Sequence, residues 1–453
     1  MNKKKRSVRI VKTPPGPASK AIHEIESRLM SHSISHLYEI SPIHVERARG
    51  SLVEDVDKNV YLDFSSGVVV TSTGHCHPKV VKAIKDQAEK VIFSYVWGVP
   101  ARSRLLEKLV EISPRGMDKA LLLSTGSEAN EAAIKLSKAY TKRAGIVSFY
   151  GGYHGLTLAV ASAAGSFSPK KLHYPALAPG YVQMPYPYCY RCDFGQEYPN
   201  CAVMCLDYIK NVMKRYESTG HLAGILVEPI QGPNACIVPP DEFLPELRSM
   251  ADEYGCLLMV DEVQTFPGRT GKMFAVEHVK VKPDILVVAK GMASGLPMSA
   301  VISTSKIMNI PEWGWGSASS TYGGGPIPCA AALATLEAVI EEKMVENAAK
   351  IGHHMRKRLL EMMGEHEIIG SVNGKGLLIG VELVKDRKTK EPDSQSGIEV
   401  IRRAFKKGLI LLYSGLYSTH VVKITPPLNI TMEEANEGLD ILDDAIREAE
   451  PRK

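Results

Sequence analysis

No apolar run in this 453-residue chain approaches the roughly 20 residues needed to span a bilayer, so no membrane-embedded protein is expected. Charge of one sign is also scarce in excess: the net charge is only +5, which gives no reason to expect nucleic acid as a partner. No strand-like segment is followed by G-x-G-x-x-G, and a nucleotide-dependent dehydrogenase is disfavoured on that ground. The basic run Lys3-Lys4-Lys5-Arg6 has no apolar core behind it. It reads as a solvated terminus rather than a secretory signal or a binding patch, and a cytoplasmic location is expected. Internal repeats and low-complexity tracts are absent. Apolar residues at 44% and charged residues at 23% are ordinary for a soluble globular chain.

Cysteine is sparse and uneven, with eight in all, which does not suit a secreted disulfide framework. Four of them, Cys189, Cys192, Cys201 and Cys205, fall close together as C-x2-C-x8-C-x3-C. Thiolates in that spacing could bind a structural zinc ion tetrahedrally. The alternative is a small insertion packed by its tyrosines, with free or disulfide-paired thiols.

The length exceeds one compact core, so a large and a smaller domain are expected. From about residue 100, strand and helix patterns alternate, which predicts a mainly parallel sheet with helices on both faces. The strands are expected at 119–124, 145–149, 223–228, 256–261, 284–289 and 299–303, followed by one long helix over 326–348. A hairpin is read between Arg47 and Phe64, turning at Asp57-Lys-Asn59. Beyond residue 350 a smaller α/β unit follows, with strands at 366–372, 376–384, 409–413 and 420–424. Its last helix opens on the capping box Thr431-x-x-Glu434, and Ala435, Leu439, Leu442 and Ile446 form its core-facing stripe.

Two apolar strand-like runs end in ionisable residues: Leu-Leu-Met-Val-Asp261 and Ile-Leu-Val-Val-Ala-Lys290. In an open parallel sheet, side chains beyond the carboxyl ends of neighbouring strands meet in one crevice. A lysine and an acid converging there is the arrangement that pyridoxal phosphate requires. The lysine forms a Schiff base with the aldehyde, and the carboxylate keeps the pyridine nitrogen protonated. Either residue alone would more simply end a strand at a solvated loop. The turn at Ser124-Thr-Gly126-Ser127 opens a helix whose amides and dipole suit a phosphate, although an ordinary capped helix reads the same way. Gly151-Gly152-Tyr153-His154-Gly155 follows another strand, and its aromatic could lie flat on a cofactor ring.

Taken in order, these segments resemble the class III aminotransferases of the fold-type-I pyridoxal-phosphate enzymes, which include 4-aminobutyrate, ornithine and acetylornithine aminotransferases. The matching stretches are Gly74-His-Cys-His-Pro78, Ser124-Thr-Gly-Ser-Glu-Ala-Asn130, Gly152-Tyr-His-Gly155, Val227-Glu-Pro-Ile-Gln-Gly232 and Asp261-Glu-Val-Gln264. Gly268-Arg-Thr-Gly271, Ala289-Lys-Gly-Met-Ala-Ser-Gly295 and Ser320-Thr-Tyr-Gly-Gly324 continue the set. The resemblance implies Lys290 as Schiff-base lysine and proton shuttle, and Asp261 as partner of the pyridine nitrogen. Gln264 would bind the ring hydroxyl, Val263 and Tyr153 would cover the two ring faces, and His154 would sit beside Tyr153. Gly126 and Ser127 would bind phosphate together with Thr321 from the other subunit of a homodimer, which could pair into a tetramer. Glu228 would lie near the ring as a supporting acid. The domains implied are an arm and small-domain hairpin at 1–58, a large cofactor-binding domain at 59–335 with an insertion at 185–206, and a small domain at 336–453.

The chain departs from that family in three places. Pro233 stands where many relatives have Glu after Gln-Gly, Lys423 stands where they have Arg, and Phe266-Pro267 replaces Gly-Phe before Gly268-Arg269. In those relatives the Arg and Glu form a switchable pair for α-carboxylate and ω-amino substrates. Lys423 could still meet a carboxylate, as a point charge without a bidentate fork; otherwise it is an ordinary surface lysine. The reading is therefore an aminotransferase moving an amino group from an amino acid or amine to a 2-oxo acid. The alternatives are an amino-acid racemase on the same scaffold and a binding protein that has lost activity.

Overall fold

The computed structural model describes residues 7–165, 178–217, 220–414 and 419–450. The basic run Lys3–Arg6 lies outside the described residues. The first strands, β1 (Val45–Arg49), β2 (Leu52–Asp55) and β3 (Val60–Asp63), form an antiparallel meander. Its expected turn at Asp57–Asn59 is stitched by Asp55, whose carboxylate accepts from the amides of Asp57 and Asn59 at 2.9 Å each.

The large sheet contains β4 (Lys119–Leu123), β5 (Gly145–Phe149), β6 (Tyr181–Met184), β7 (Leu222–Val227), β8 (Leu257–Asp261), β9 (Ile285–Val288) and β10 (Ser299–Ser303). Its order is β4-β10-β9-β8-β7-β5-β6. Five of these strands are joined by parallel ladders, and only β10 runs antiparallel to both of its neighbours. The expected mainly parallel sheet is thus present. The edge strand β6, which the sequence reading did not anticipate, completes it.

Strands β7, β8 and β9 are buried along their whole length, as expected where helices cover both faces. Side-chain alternation sorts them between two cores. Ile225, Val227, Leu258, Val260, Leu286 and Val288 pack on one face, and Leu226, Met259, Ile285 and Val287 on the other. Leu226 is fully buried at the sheet centre. Leu226→Ala is expected to lower unfolding free energy by about 2–5 kcal/mol, because the cavity it leaves collapses only partly. Urea denaturation followed by circular dichroism measures that loss; a change within error would mean the centre of the sheet repacks freely.

The long helix expected over 326–348 is two helices, Pro326–Glu341 and Met344–Glu365. They are broken where Lys343 turns to φ 52°. Neither Gly nor Pro marks that break, so the sequence pattern could not show it. The first of the two is buried on nearly every side and lies against the large sheet's core, whereas the second packs in a separate cluster.

That second cluster is built on β11 (Ile369–Lys375), β12 (Leu378–Asp386), β13 (Glu391–Pro392), β14 (Leu409–Ile410), β15 (Leu412–Ser414) and β16 (Val421–Ile424). Strand β14 leaves this unit to pair in parallel with β3, so the N-terminal meander and the C-terminal unit share a sheet. The last helix, Met432–Ala449, opens on the expected capping box. Thr431 Oγ1 accepts from the Glu434 amide at 3.2 Å, and Glu434 accepts from the Thr431 amide at 2.9 Å. Ala435, Leu439, Leu442 and Ile446 are all fully buried in the cluster.

The four-cysteine insertion carries a short 3-10 turn, Cys189–Arg191, and leads into the helix Met204–Glu217. Its thiols line a small common cavity and are free. Zinc–sulfur bonds of about 2.3 Å would hold tetrahedral sulfurs about 4 Å apart. Among the described residues, the one set of three metal-ligating side chains within 4.8 Å of one another is Glu365, His366 and Asp443. The expected zinc arrangement at Cys189, Cys192, Cys201 and Cys205 is therefore not formed. The insertion is fastened to β12 by Tyr188 and Arg191, both of which donate to Glu382.

Candidate active site

Strands β8 and β9 lie side by side, and the residues at their carboxyl ends, Asp261 and Lys290, line one cavity of about 360 Å³. Asp261 is buried and held by three donors. Asn130 Nδ2 and His154 Nδ1 each lie 2.8 Å from its Oδ2, and the Val263 amide donates to Oδ1 at 2.9 Å. A carboxylate gripped in this way has one orientation, fixed by groups from three separate segments. Lys290 follows β9 in a left-handed backbone conformation, φ 43°, that a β-carbon disfavours. Burial holds its amine below the usual lysine range, while the charges of Asp261 and Glu228 pull the other way. Among the described residues its Nζ makes no hydrogen bond or ion pair. The amine is poised, partly desolvated and unpaired.

Glu228 follows β7 and also lines the cavity. Its carboxylate accepts from the amides of Tyr153 at 2.9 Å and Gly232 at 3.2 Å. Burial, and then the neighbouring Asp261 charge, push this carboxyl well above the ordinary range. Tyr153 and Val263 both line the same space. A β-carbon on Gly126 would come within 3.3 Å of a Val263 methyl, so the helix start and the Val263 side chain already touch.

The opposite end of the cavity is the start of the helix Gly126–Thr141. Thr125 and Glu128 form a capping box that occupies the Glu128 amide. The amides of Gly126 and Ser127 are left without partners among the described residues, at the positive end of the helix. The buried Ser124 hydroxyl is also unpartnered. Gly155 keeps the loop close: at its φ of 136° a β-carbon would sit 2.3 Å from Ser127 Oγ. An anion cradle, an unpaired amine and a fixed carboxylate in one cavity would suit a phosphorylated pyridine aldehyde.

Gly126, Ser127, Tyr153, His154, Glu228, Asp261, Val263, Gln264 and Lys290 all line this cavity. Thr321 does not; it is exposed beside Ser320, whose hydroxyl donates to Glu128 at 3.1 Å. Lys423 is no surface lysine. It lies on β16, 4% exposed, and its Nζ donates to Gln264 Oε1 at 2.6 Å. It stands behind Gln264 rather than in the cavity lining. Asn130 is the site residue that sequence reasoning passed over. It was visible only as the end of a longer motif, and its amide joins His154 to Asp261.

Burial pushes the Lys423 amine down to about 8 from 10.5. The folded chain therefore binds fewer protons here than the unfolded chain between those values, so this group adds stability as pH rises from about 8 towards 10.5. Below pH 8 both states are protonated and that contribution is absent. Comparing parent with Lys423→Met by denaturation at pH 7 and pH 9.5 should show the parent gaining relative to the variant at the higher pH. Equal differences at the two pH values would show that Lys423 titrates as an exposed lysine.

A family model described as "Aminotransferase class-III" matches residues 34–446. An "Alanine/serine racemase" of Pyrococcus horikoshii is 41% identical over 97% of this chain and 93% of its own. A "4-aminobutyrate aminotransferase" of Mycobacterium tuberculosis is 34% identical over 96% of this chain and 97% of its own. Among solved structures, an amine transaminase from an uncultivated Pseudomonas species, in its PLP-bound form, matches with a TM-score of 0.85 and 28% identity. It covers 93% of this chain and 98% of its own. With its large mixed sheet, its helices and these neighbours, the fold is that of the fold-type-I pyridoxal-phosphate enzymes, and the chain belongs to the class III aminotransferase family.

Proposed function

We propose that the cavity holds pyridoxal phosphate on Lys290 and moves an amino group from an amino acid or amine to a 2-oxo acid. The observation that carries this reading is the meeting of Asp261, Lys290 and the free amides of Gly126 and Ser127 in one cavity. When bound, the cofactor supplies an electron sink that stabilises negative charge on the substrate carbon. Asp261 favours the protonated ring nitrogen, since a buried carboxylate stabilises a cation beside it. His154 and Asn130 keep that carboxylate aimed. Lys290 would hold the cofactor, and its amine would be the positioned base and acid that moves the proton at the substrate carbon. Lys423 donates to Gln264 Oε1 and helps fix that side chain, whose amide would hydrogen-bond the ring hydroxyl. Tyr153 and Val263, which line the same cavity, would cover the two faces of the ring.

The same reading places Thr321 of a second copy at the phosphate. Exposed apolar side chains on this chain support a homodimer: Trp97, Ile92, Val96, Leu156 and Tyr322 are between 63% and 81% exposed.

Racemisation at the same site is the second reading. It is favoured by the 41% identity to an alanine/serine racemase and by a Lys423 engaged with Gln264 instead of open to a substrate carboxylate. Single amino acids incubated with the holoenzyme, with and without a 2-oxo acid, separate the two. Transfer predicts loss of the visible band and release of a 2-oxo acid, with the remaining amino acid optically pure on a chiral column. Appearance of the opposite enantiomer without an acceptor would replace the first reading with the second.

A further inference from the structure

Beneath the four-cysteine insertion lies a second cavity of about 180 Å³, which shares no lining residue with the candidate active site. It is formed where the turn Cys189–Arg191 meets the loop after β7 and the start of β16. Its walls carry hydrogen-bonding capacity that the protein does not use. Asn234 is 3% exposed; its Nδ2 donates to Gln231 Oε1 at 3.0 Å, and its Oδ1 has no partner among the described residues. Arg191 donates from Nε to Glu382 at 2.5 Å, while its buried Nη2 has no partner among the described residues. Asp193, an exposed residue, also lines the cavity and forms no ion pair among the described residues. By contrast Glu382, behind the wall, is fully engaged by Tyr188, Arg191 and His420.

Buried acceptors and donors left unmade are costly, so this set selects its occupant. The lining offers a carboxylate and an amide oxygen, which suit an ammonium group, and a guanidinium N–H, which suits a carboxylate. A simple anion is disfavoured, because Glu382 already offsets the Arg191 charge and Asp193 opposes a second negative group. The rings of Tyr186 and Tyr188 on the remaining wall suit an aliphatic side chain or the ammonium face. This complement of groups matches a zwitterion.

We propose that this cavity is a second binding site, separate from the reaction site, for a free α-amino acid. Its ammonium sits between Asp193 and Asn234 Oδ1, and its carboxylate lies on Arg191 Nη2. The site abuts the loop that carries Tyr153. Gln231 joins Asn234 to the Tyr150 carbonyl at 2.8 Å, and a β-carbon on Gly151 would fall 2.2 Å from Asn234 Nδ2.

Equilibrium dialysis of the full-length protein with radiolabelled alanine, leucine and glutamate tests the proposal. The Lys290→Ala variant should retain one bound amino acid per chain. Asn234→Leu and Arg191→Ala, each made in that background, should weaken binding by about tenfold or more, because each removes a charge-assisted or buried hydrogen bond. Arg191→Lys keeps the charge beside Glu382 but not the fork, and guards against misfolding; it too should bind more weakly. The proposal is overturned if none of the three amino acids binds the Lys290→Ala protein, or if binding there is unchanged by the Asn234 and Arg191 substitutions. The visible band of the parent holoenzyme reads the cofactor assignment independently of either result.

Discussion

Replacing Lys290 with alanine is expected to remove the borohydride-sensitive absorbance band of the holoenzyme and to lower turnover by about 10³-fold or more. Two functions are lost together: the amine that tethers the cofactor and the positioned base that moves the proton, a role worth roughly 10²–10⁴-fold by itself. The physical basis is the environment of that amine. It lies beyond the end of β9, partly desolvated, with burial holding it below the usual lysine range and no partner among the described residues. Mass spectrometry after borohydride reduction should place the added cofactor mass on Lys290 in the parent and nowhere in the variant. A variant that keeps its turnover would remove the proposed chemistry, and a parent that never takes up colour would favour the inactive binding protein.

Asp261→Asn is expected to fold and to bind cofactor, but to lose activity by roughly 10²–10³-fold, the scale on which one preorganised electrostatic group acts. The substitution preserves shape. It removes the negative charge that favours the protonated ring, and it places an amide where His154 and Asn130 now meet a carboxylate 2.8 Å away. The absorbance of the bound cofactor should shift as the ring nitrogen loses its proton, at a pH where the parent spectrum is constant. That spectral change separates an electrostatic role from loss of folding, which would alter the far-ultraviolet circular dichroism instead. An unchanged spectrum with unchanged rate would show that Asp261 merely ends its strand.

The parts of the fold that were legible follow from local periodicity. Runs such as Leu257–Asp261 and Ile285–Val288 are apolar throughout because they are buried on both faces, and their ends are marked by the first ionisable side chain. The last helix announced itself through a capping box and a buried stripe. Where the sequence misled, the deciding interaction was not local. The break at Lys343 carries no Gly or Pro; it falls just after the first helix passes from the large sheet's core, through Ala338 and Val339, into the cluster that holds the second. The zinc expectation rested on spacing alone; the four thiols do gather around one small cavity, but no three of them come within 4.8 Å of one another.

The order of the chemistry-bearing residues along the chain, and hence the family, was determined by the sequence itself: an acid and a lysine closing apolar strands, and a small-residue turn opening a helix. Only the tertiary structure decided which polar atoms are spent and which remain. Asn130 reaches Asp261 across 131 residues, and Lys423 reaches Gln264 across 159. A side chain's burial and its partner depend on such distant contacts, whereas the pattern of a strand or a cap is fixed within a few neighbours.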